Sequence, residues 1–162
     1  MSAQLLHLGE HETLHIVRDT IDELEVEGTW TPGGSPPPAH YHPSQDEEFE
    51  VRTGTLTAVV DGNERTLGPG DTLRIPRHTP HKMYNAGTET ATALWRTRPG
   101  LRTAQWFATV DELSEGGTKR PSGPAMARAL TSYGDVFRLA VVPVPLRPLV
   151  ALGLRAMALA AR

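Results

Sequence analysis

The sequence predicts a mainly β protein, a sandwich or barrel of short strands, with a helical C-terminal extension. Between Thr13 and Arg98 the chain is rich in Thr, Val, Leu and Glu, and glycine or proline returns every several residues. This pattern is typical of many short strands joined by turns. After Pro99 the spacing of apolar residues indicates helices. We therefore expect a β barrel over residues 1–100 and a helical extension over residues 101–162, packed on the barrel or on a partner subunit.

Eight segments are predicted to be strands. They are residues 13–18, 24–30, 47–53, 55–60, 64–67, 72–75, 81–85 and 91–98. Between two of them, Asp61-Gly62 predicts a type I′ hairpin turn, because both central residues of that turn need a positive φ.

The extension has three helix-compatible segments. They are Ala104 to Leu113, Ala125 to Val141 and Leu146 to Arg162. The last of these has apolar residues at helical spacing and arginines on another side, so it predicts an amphipathic helix. Prolines and Arg155 interrupt it too often for a membrane-spanning helix. We expect it to pack on protein rather than on an anionic membrane surface.

Length, charge and composition restrict the classes of partner. A chain of 162 residues can bury one sizeable core, so we expect one domain with an appendage. The net charge of -3, without a dense Lys/Arg run, argues against nucleic acid. Because cysteine is absent, any metal must bind to imidazole and carboxylate groups. The N-terminus does not have the pattern of a signal peptide, so we expect a cytoplasmic location.

Two histidines close together in the sequence are the first indication of a metal site. His40 and His42 are separated by one residue, so in an extended chain both imidazoles leave the same face and can bind one cation. In the next strand Glu47 shares a face with Phe49 and Val51, whose apolar side chains mark that face as inward. An unpaired carboxylate in a core is very costly, and a metal ion is a natural partner for it.

A fourth candidate ligand comes from a strand that is distant in sequence. Pro80 interrupts the chain, and after it His81, Met83 and Asn85 can line one face. Three imidazoles and one carboxylate leave two positions of an octahedron open for water, substrate or dioxygen. The predicted site is therefore reactive rather than purely structural. It suits one divalent transition metal, and Fe, Mn, Ni and Zn all stay open as candidates.

These two clusters resemble the two motifs of the cupin family. The first motif is Gly, five residues, His, one, His, three or four, Glu, six, Gly. The chain matches it at Gly34, His40, His42, Glu47 and Gly54, and it matches the second motif at Gly70, Pro76, His81 and Asn85. His78 stands where the family has a glycine in a tight turn. Because histidine tolerates left-handed geometry better than most residues, we interpret His78 as a turn residue at the pocket rim.

The resemblance, which covers about Leu24 to Arg98, implies a double-stranded β-helix, or jelly-roll barrel, with a ligand pocket inside one mouth. The favoured function is a metal-dependent oxidoreductase similar to the flavonol, cysteine or acireductone dioxygenases, in which Glu47 is both a ligand and a catalytic base. Redox-neutral isomerase, lyase or decarboxylase chemistry is one alternative, and a non-catalytic binding module for a small molecule is another. Cupins often pair, and the apolar surface of the extension favours a homodimer.

The predicted pocket walls indicate the class of small molecule. Phe49, Val51 and Met83 are the candidate substrate-binding residues, and Trp30 or Trp95 could join them. Few charges converge beyond the metal ligands, so a largely apolar or aromatic molecule is favoured.

A literal zinc-protease pattern, His-Glu-x-x-His, occurs at residues 11–15. It needs a helix to bring both imidazoles to one face, whereas Gly9 precedes it and Ile16 and Val17 are typical of a strand. We therefore reject protease chemistry.

Overall fold

The structure is a computed structural model that describes residues 5–140 together with Met157. This part of the chain contains eleven strands and two helices. The strands are β1 (Leu5–Gly9), β2 (Glu12–Asp19), β3 (Leu24–Trp30), β4 (His40–Tyr41), β5 (Asp46–Thr53), β6 (Leu56–Val60), β7 (Asn63–Leu67), β8 (Thr72–Ile75), β9 (His81–Tyr84), β10 (Ala91–Arg98) and β11 (Arg138–Leu139). The helices are α1 (Thr103–Leu113) and α2 (Gly123–Ser132).

The strands form two antiparallel sheets that share one core. The first sheet has the order β1-β2-β3-β10-β5-β8, and the second has the order β11-β4-β9-β6-β7. Val26 and Phe49 from the first sheet and Leu56 and Met83 from the second belong to one buried apolar cluster. Because inward side chains alternate with outward ones along each strand, the candidate ligands on β4, β5 and β9 face this common interior.

The predicted strands agree closely with the structure. β3, β8 and β10 have the predicted bounds, and the other five predicted strands begin and end within one residue of the prediction. The turn at Asp61-Gly62 has the expected positive φ angles of 48° and 80°. The His-Glu-x-x-His segment lies in a turn and in β2 rather than in a helix, which confirms the predicted strand.

Three strands, β1, β4 and β11, were not among the eight predicted segments, and one predicted helix is too long. The segment from Ala125 to Val141 was expected to be helix-compatible throughout, but α2 ends at Ser132. Gly134 lies in the turn that follows, and the chain then becomes extended so that β11 pairs with β4. This pairing provides backbone hydrogen bonds that a continued helix would not supply to the edge of the sheet. The prediction for Leu146 to Arg162 lies outside the described residues except at Met157, which is helical.

The two helices cover one side of the barrel. The buried side chains of Trp106, Phe107 and Val110 on α1 join the barrel's apolar cluster. The side chain of Ser122 accepts a hydrogen bond from the Ala125 N–H group and caps α2. No helix among the described residues combines the length and the apolar character needed to cross a membrane.

We expect Gly54→Ala to destabilise the fold more than Gly62→Ala does. Both glycines have a positive φ, which costs an alanine about 1–2 kcal/mol. A Cβ atom on Gly54 would lie 2.5 Å from the carbonyl oxygen of Thr90, whereas nothing lies within 4 Å of one on Gly62. The clash should cost about 1–3 kcal/mol more. Urea denaturation of both variants measures the difference, and equal losses would contradict the close approach at Gly54.

Candidate metal centre

Three histidine side chains meet beside strands β4 and β9. The Cα atoms of His40 and His81 are partners across this strand pair, and His42 follows just after β4. The ring centroids of His40 and His81 are 4.4 Å apart. The ring centroid of His42 lies 5.3 Å from that of His40 and 5.4 Å from that of His81. One ligand nitrogen from each ring lies within 4.8 Å of the others. This three-histidine group can hold a metal ion.

Each imidazole is oriented by a backbone carbonyl group through its Nδ1 atom. The pairs, with their nitrogen-to-oxygen distances, are His40 with Pro38 (3.2 Å), His81 with Thr79 (2.9 Å) and His42 with Val136 (2.5 Å). A carbonyl oxygen can only accept a hydrogen bond, so each Nδ1 carries the proton and donates it. In a neutral ring this leaves the lone pair of Nε2 for a metal ion.

The carboxylate of Glu47 lies between two of these rings. Its Oε2 atom is 2.8 Å from Nε2 of His81, and its Oε1 atom is 3.2 Å from Nε2 of His42. The indole N–H of Trp95 donates to Oε1 over 3.0 Å. Glu47 is only 1% exposed, so solvent cannot satisfy its remaining lone pairs.

Acceptor atoms therefore face each other in the centre of the cluster. When Nδ1 is protonated in a neutral ring, Nε2 is an acceptor, and so are both carboxylate oxygens. Nε2 of His42 and Oε2 of Glu47 are buried and have no hydrogen-bond partner among the described residues. A proton or a metal ion between these atoms removes the repulsion. The donor set, nitrogen from imidazole and oxygen from carboxylate, is one that first-row transition metals accept.

Burial and the charges of neighbouring groups shift the pKa values of three residues in the cluster. Burial disfavours the charged form of Glu47, but the His42 and His81 imidazoles outweigh it and hold the pKa of Glu47 well below its usual range. Burial also opposes a charge on His42, whereas the Glu47 carboxylate raises the pKa of His42 above its ordinary value. Burial, followed by the other two imidazoles, lowers the pKa of His40 to about 3. A charged Glu47 and a neutral His40 are the forms that bind metal.

The fold and this cluster agree with a known family. The family model described as "Cupin domain" matches residues 26–96, a range that contains His40, His42, Glu47 and His81. Residues 26–96 are a cupin domain. The match runs from within β3 to within β10 and includes both predicted motifs.

One curated relative of the cupin domain is named an oxidoreductase, and another is named a dioxygenase. "Probable oxidoreductase yanE" of Aspergillus niger is 42% identical over 59 residues, which are 35% of this chain and 23% of that protein. Quercetin 2,3-dioxygenase of Bacillus subtilis is 29% identical over 106 residues, which are 65% of this chain and 31% of that protein. The chain thus matches less than a third of the length of either relative.

A solved structure confirms the predicted double-stranded β-helix. KdgF from Halomonas sp. superposes with a TM-score of 0.52 at 22% identity, over 59% of this chain and 86% of that chain. At this identity the likeness shows the fold alone.

The three candidate substrate-binding residues lie in the interior of the cupin domain. Phe49 and Val51 are 3% and 1% exposed and pack in the core. Phe49 stacks on Trp95 with a centroid distance of 5.0 Å, so it supports the indole that donates to Glu47. Met83 is also largely buried but lines a cavity. Contact with a substrate stays a prediction for all three.

His78 lies in the turn before β9, as its place in the second motif suggested. Its φ of 65° is left-handed, and its side chain is exposed. Its backbone N–H donates to the carbonyl oxygen of His42 over 2.8 Å. The contribution of His78 to the cluster is therefore a backbone contact that steadies the chain around a candidate ligand.

A cavity of about 440 Å³ lies between the cupin domain and the helices that follow it. Trp30 and Met83 line it from the barrel, and Val110 and Met126 line it from α1 and α2. Pro38, whose carbonyl group orients one of the three histidines, also lines it. One wall of the cavity therefore belongs to the chain segment that leads into the cluster.

Glu12 lines this cavity at the start of β2, and the sequence analysis did not assign it a role. Burial raises the pKa of Glu12 to about 7, although a hydrogen bond from Trp30 favours the charged form. The alternation of inward and outward residues along the strand predicts that Glu12 faces inward, because Glu12 shares a face with buried Leu14 and partly buried Ile16. Near neutral pH this carboxyl group can therefore both hold and release a proton.

We expect Glu12→Gln to stabilise the protein at pH 8 and to change its stability little at pH 4. At pH 4 the carboxyl group is mostly protonated in both the folded and the unfolded state. Between about 4.5 and 7 the unfolded chain ionises first, so the wild type loses stability as the pH rises, whereas glutamine carries no charge. Because Glu12 is only partly buried, the gain at pH 8 should be about 1–2 kcal/mol.

Urea denaturation at pH 4 and pH 8 measures this effect. Glu10→Gln is the control, since it removes an exposed carboxyl group from the same turn and should show no such pH dependence. A stability change in Glu12→Gln that is the same at both pH values would contradict the raised pKa.

Proposed function

We propose that this cupin domain holds one divalent transition metal on His40, His42, Glu47 and His81. We further propose that it is a metal-dependent oxidoreductase of the dioxygenase kind that acts on a small, largely apolar or aromatic molecule. Iron, manganese, nickel and zinc all suit the donor set.

The observation that carries the metal proposal is the arrangement of acceptor atoms around the Glu47 carboxylate. Its two oxygens lie 2.8 and 3.2 Å from imidazole Nε2 atoms whose rings donate through Nδ1 to carbonyl groups. Burying such a set without a cation would be very costly. A shared proton satisfies only one contact at a time, whereas a metal ion satisfies several.

Two further observations support the class of reaction and substrate. The matched relatives are named an oxidoreductase and a quercetin 2,3-dioxygenase. The cavity that Pro38 lines has Trp30, Met83 and Met126 in its walls, beside charged side chains that include Lys119 and Arg120. The apolar and aromatic part of this lining is what supports a small apolar or aromatic molecule.

Each residue of the cluster would have its own role in the reaction. The three imidazoles bind the metal through Nε2, and their backbone acceptors keep the rings from turning. A transition metal held by these residues would supply a Lewis acid and open positions for substrate and dioxygen. The indole of Trp95 donates to Oε1 of Glu47, so Oε2 is the oxygen that would bind the metal and, when released from it, would take a proton from the substrate. The burial of Glu47 keeps bulk water away from that atom.

We expect the protein, when it is purified without a metal-affinity tag, to contain a transition metal in a near-stoichiometric amount. The double variant His40→Ala/His42→Ala should lose that metal. Removing two of the three imidazoles should lower the metal content at least about tenfold. Metal analysis by mass spectrometry measures it. The control is His11→Ala/His15→Ala, which removes two histidines outside the cluster and should keep the metal. A wild type that stays empty after iron, manganese, nickel or zinc is added would overturn the metal site.

Oxygen uptake by the metal-loaded protein, measured with a panel of small phenols and enols, tests the reaction class. Uptake that requires both substrate and metal would support a dioxygenase. Product formation without oxygen uptake would instead favour redox-neutral isomerase, lyase or decarboxylase chemistry. Tight binding without product would favour the non-catalytic binding module.

The homodimer stays a prediction. Leu5, Val17 and Ile21 are 55%, 50% and 66% exposed, and these apolar side chains offer contact area for a second copy. Light scattering is expected to give about twice the chain mass of 17.6 kDa. A single species at the monomer mass would exclude the dimer.

A further inference from the structure

The chain that follows α2 returns to the metal centre. β11 pairs with β4, so that Arg138 lies opposite Tyr41 and Leu139 lies opposite His40. The N–H of Ala140 donates to the carbonyl oxygen of Ala39 over 2.8 Å. We call residues 136–140 the strap. The strap therefore runs alongside the strand that carries the first two candidate ligands.

The first residue of the strap holds one imidazole by its backbone. The carbonyl oxygen of Val136 accepts the hydrogen bond from Nδ1 of His42 over 2.5 Å, across 94 residues of sequence. Val136 itself is 0% exposed, and its N–H donates to the carbonyl oxygen of Tyr133 over 3.0 Å. The accepting carbonyl group is therefore fixed by burial and by the turn that precedes it.

The second residue of the strap covers another imidazole. The ring of Phe137 stacks on that of His40 with a centroid distance of 4.5 Å and an interplanar angle of 22°. Trp106 of α1 stacks on Phe137 at 4.8 Å and 28°. Three flat rings thus form a continuous stack from the helix to a candidate ligand, and rotation of the His40 ring about its Cβ–Cγ bond would break it.

These contacts concern the two histidines that lie on or next to the short strand β4, which has only two residues. Such a short strand fixes its side chains poorly by itself, and only His40 has an assigned partner on β9. Contacts from outside the strand therefore add to the local hydrogen bond of His40 to Pro38, and the strap supplies one such contact to each ring.

We propose that the strap is a positioning element of the metal centre, in which Phe137 sets the plane of the His40 ring and Val136 sets that of His42. The proposal rests on the proposed metal site. It makes the helical extension a part of that site rather than a neighbour of it. Partners that orient metal-binding histidines typically change metal affinity by about 10–100-fold.

Three variants test the proposal. Phe137→Ala removes the stacking ring, Phe137→Tyr keeps it, and Leu14→Ala removes a buried side chain from β2, which does not carry the cluster. The alanine changes at Phe137 and Leu14 should both lower the midpoint of urea unfolding. Only Phe137→Ala should also change the metal site.

Two readouts separate positioning from simple packing. Competition with a chelator gives the Co(II) dissociation constant, and electron paramagnetic resonance of the Cu(II)-loaded protein reports the arrangement of its nitrogen ligands. We expect Phe137→Ala to weaken Co(II) binding about tenfold or more and to shift the Cu(II) hyperfine coupling. Phe137→Tyr and Leu14→Ala should resemble the wild type in both.

Each outcome is decisive. Wild-type Co(II) affinity and an unshifted Cu(II) spectrum in Phe137→Ala would overturn the strap proposal and leave the proposed metal site standing. Equal changes in Leu14→Ala would also overturn it, because general destabilisation would then explain the effect. A wild type that binds neither ion would overturn the metal site and the role of the strap together.

Discussion

The buried carboxylate of Glu47 is the constraint on which the rest of the structure depends. A charged group that is 1% exposed must be compensated inside the protein, and the cupin domain does so on two sides. On one side lie the imidazoles of His42 and His81, and on the other lies the indole N–H of Trp95. The aromatic packing around Trp95 follows from this, since Phe49 stacks on its ring and fixes the direction of the hydrogen bond. Two aromatic residues of the core, Phe49 and Trp95, therefore help to orient a single charge.

The histidines are constrained in a second way, by the protons on their Nδ1 atoms. In two of the three, the acceptor is the carbonyl group of the residue two positions earlier, so the local chain orients the ring. Pro80 follows Thr79 directly and holds it in an extended conformation, which directs its carbonyl group towards His81. His42 has no such local acceptor. Its partner, Val136, comes from beyond two helices, so one ligand of the cluster depends on a distant part of the chain.

This difference between local and distant hydrogen-bond acceptors explains how much of the site could be predicted from the sequence. Strand alternation placed Glu47 on the inward face, and the spacing of His40 and His42 placed both rings together, because local geometry decides both features. Val136 and Phe137 lie in a segment whose apolar spacing suits a helix, and only pairing with β4 makes its end a strand. Such tertiary pairing is not encoded in local periodicity.

The same physics decided which features outside the site could be predicted from the sequence. β3, β8 and β10 alternate between buried and exposed residues or are bounded by turns, so their limits could be predicted. β1 shows no regular alternation and lies at the edge of a sheet, where pairing with β2 stabilises it. Glu12 lies within the His-Glu-x-x-His pattern, and the strand that rules out a helical zinc site there also turns this carboxyl group inward.

The strap and α1 bear on whether the extension can be separated from the barrel. A chain that ended near residue 100 would leave the buried Nδ1–H of His42 without its acceptor, at a cost of about 1–3 kcal/mol. It would also expose the ring face of His40 that Phe137 covers, and the carboxylate of Asp111 would no longer accept from His7 on β1. These losses fall on both sheets, since His7 lies on β1 of the first sheet and His40 lies on β4 of the second. We therefore infer that residues 101–140 fold together with the cupin domain, and that loss of the extension would disturb the cluster.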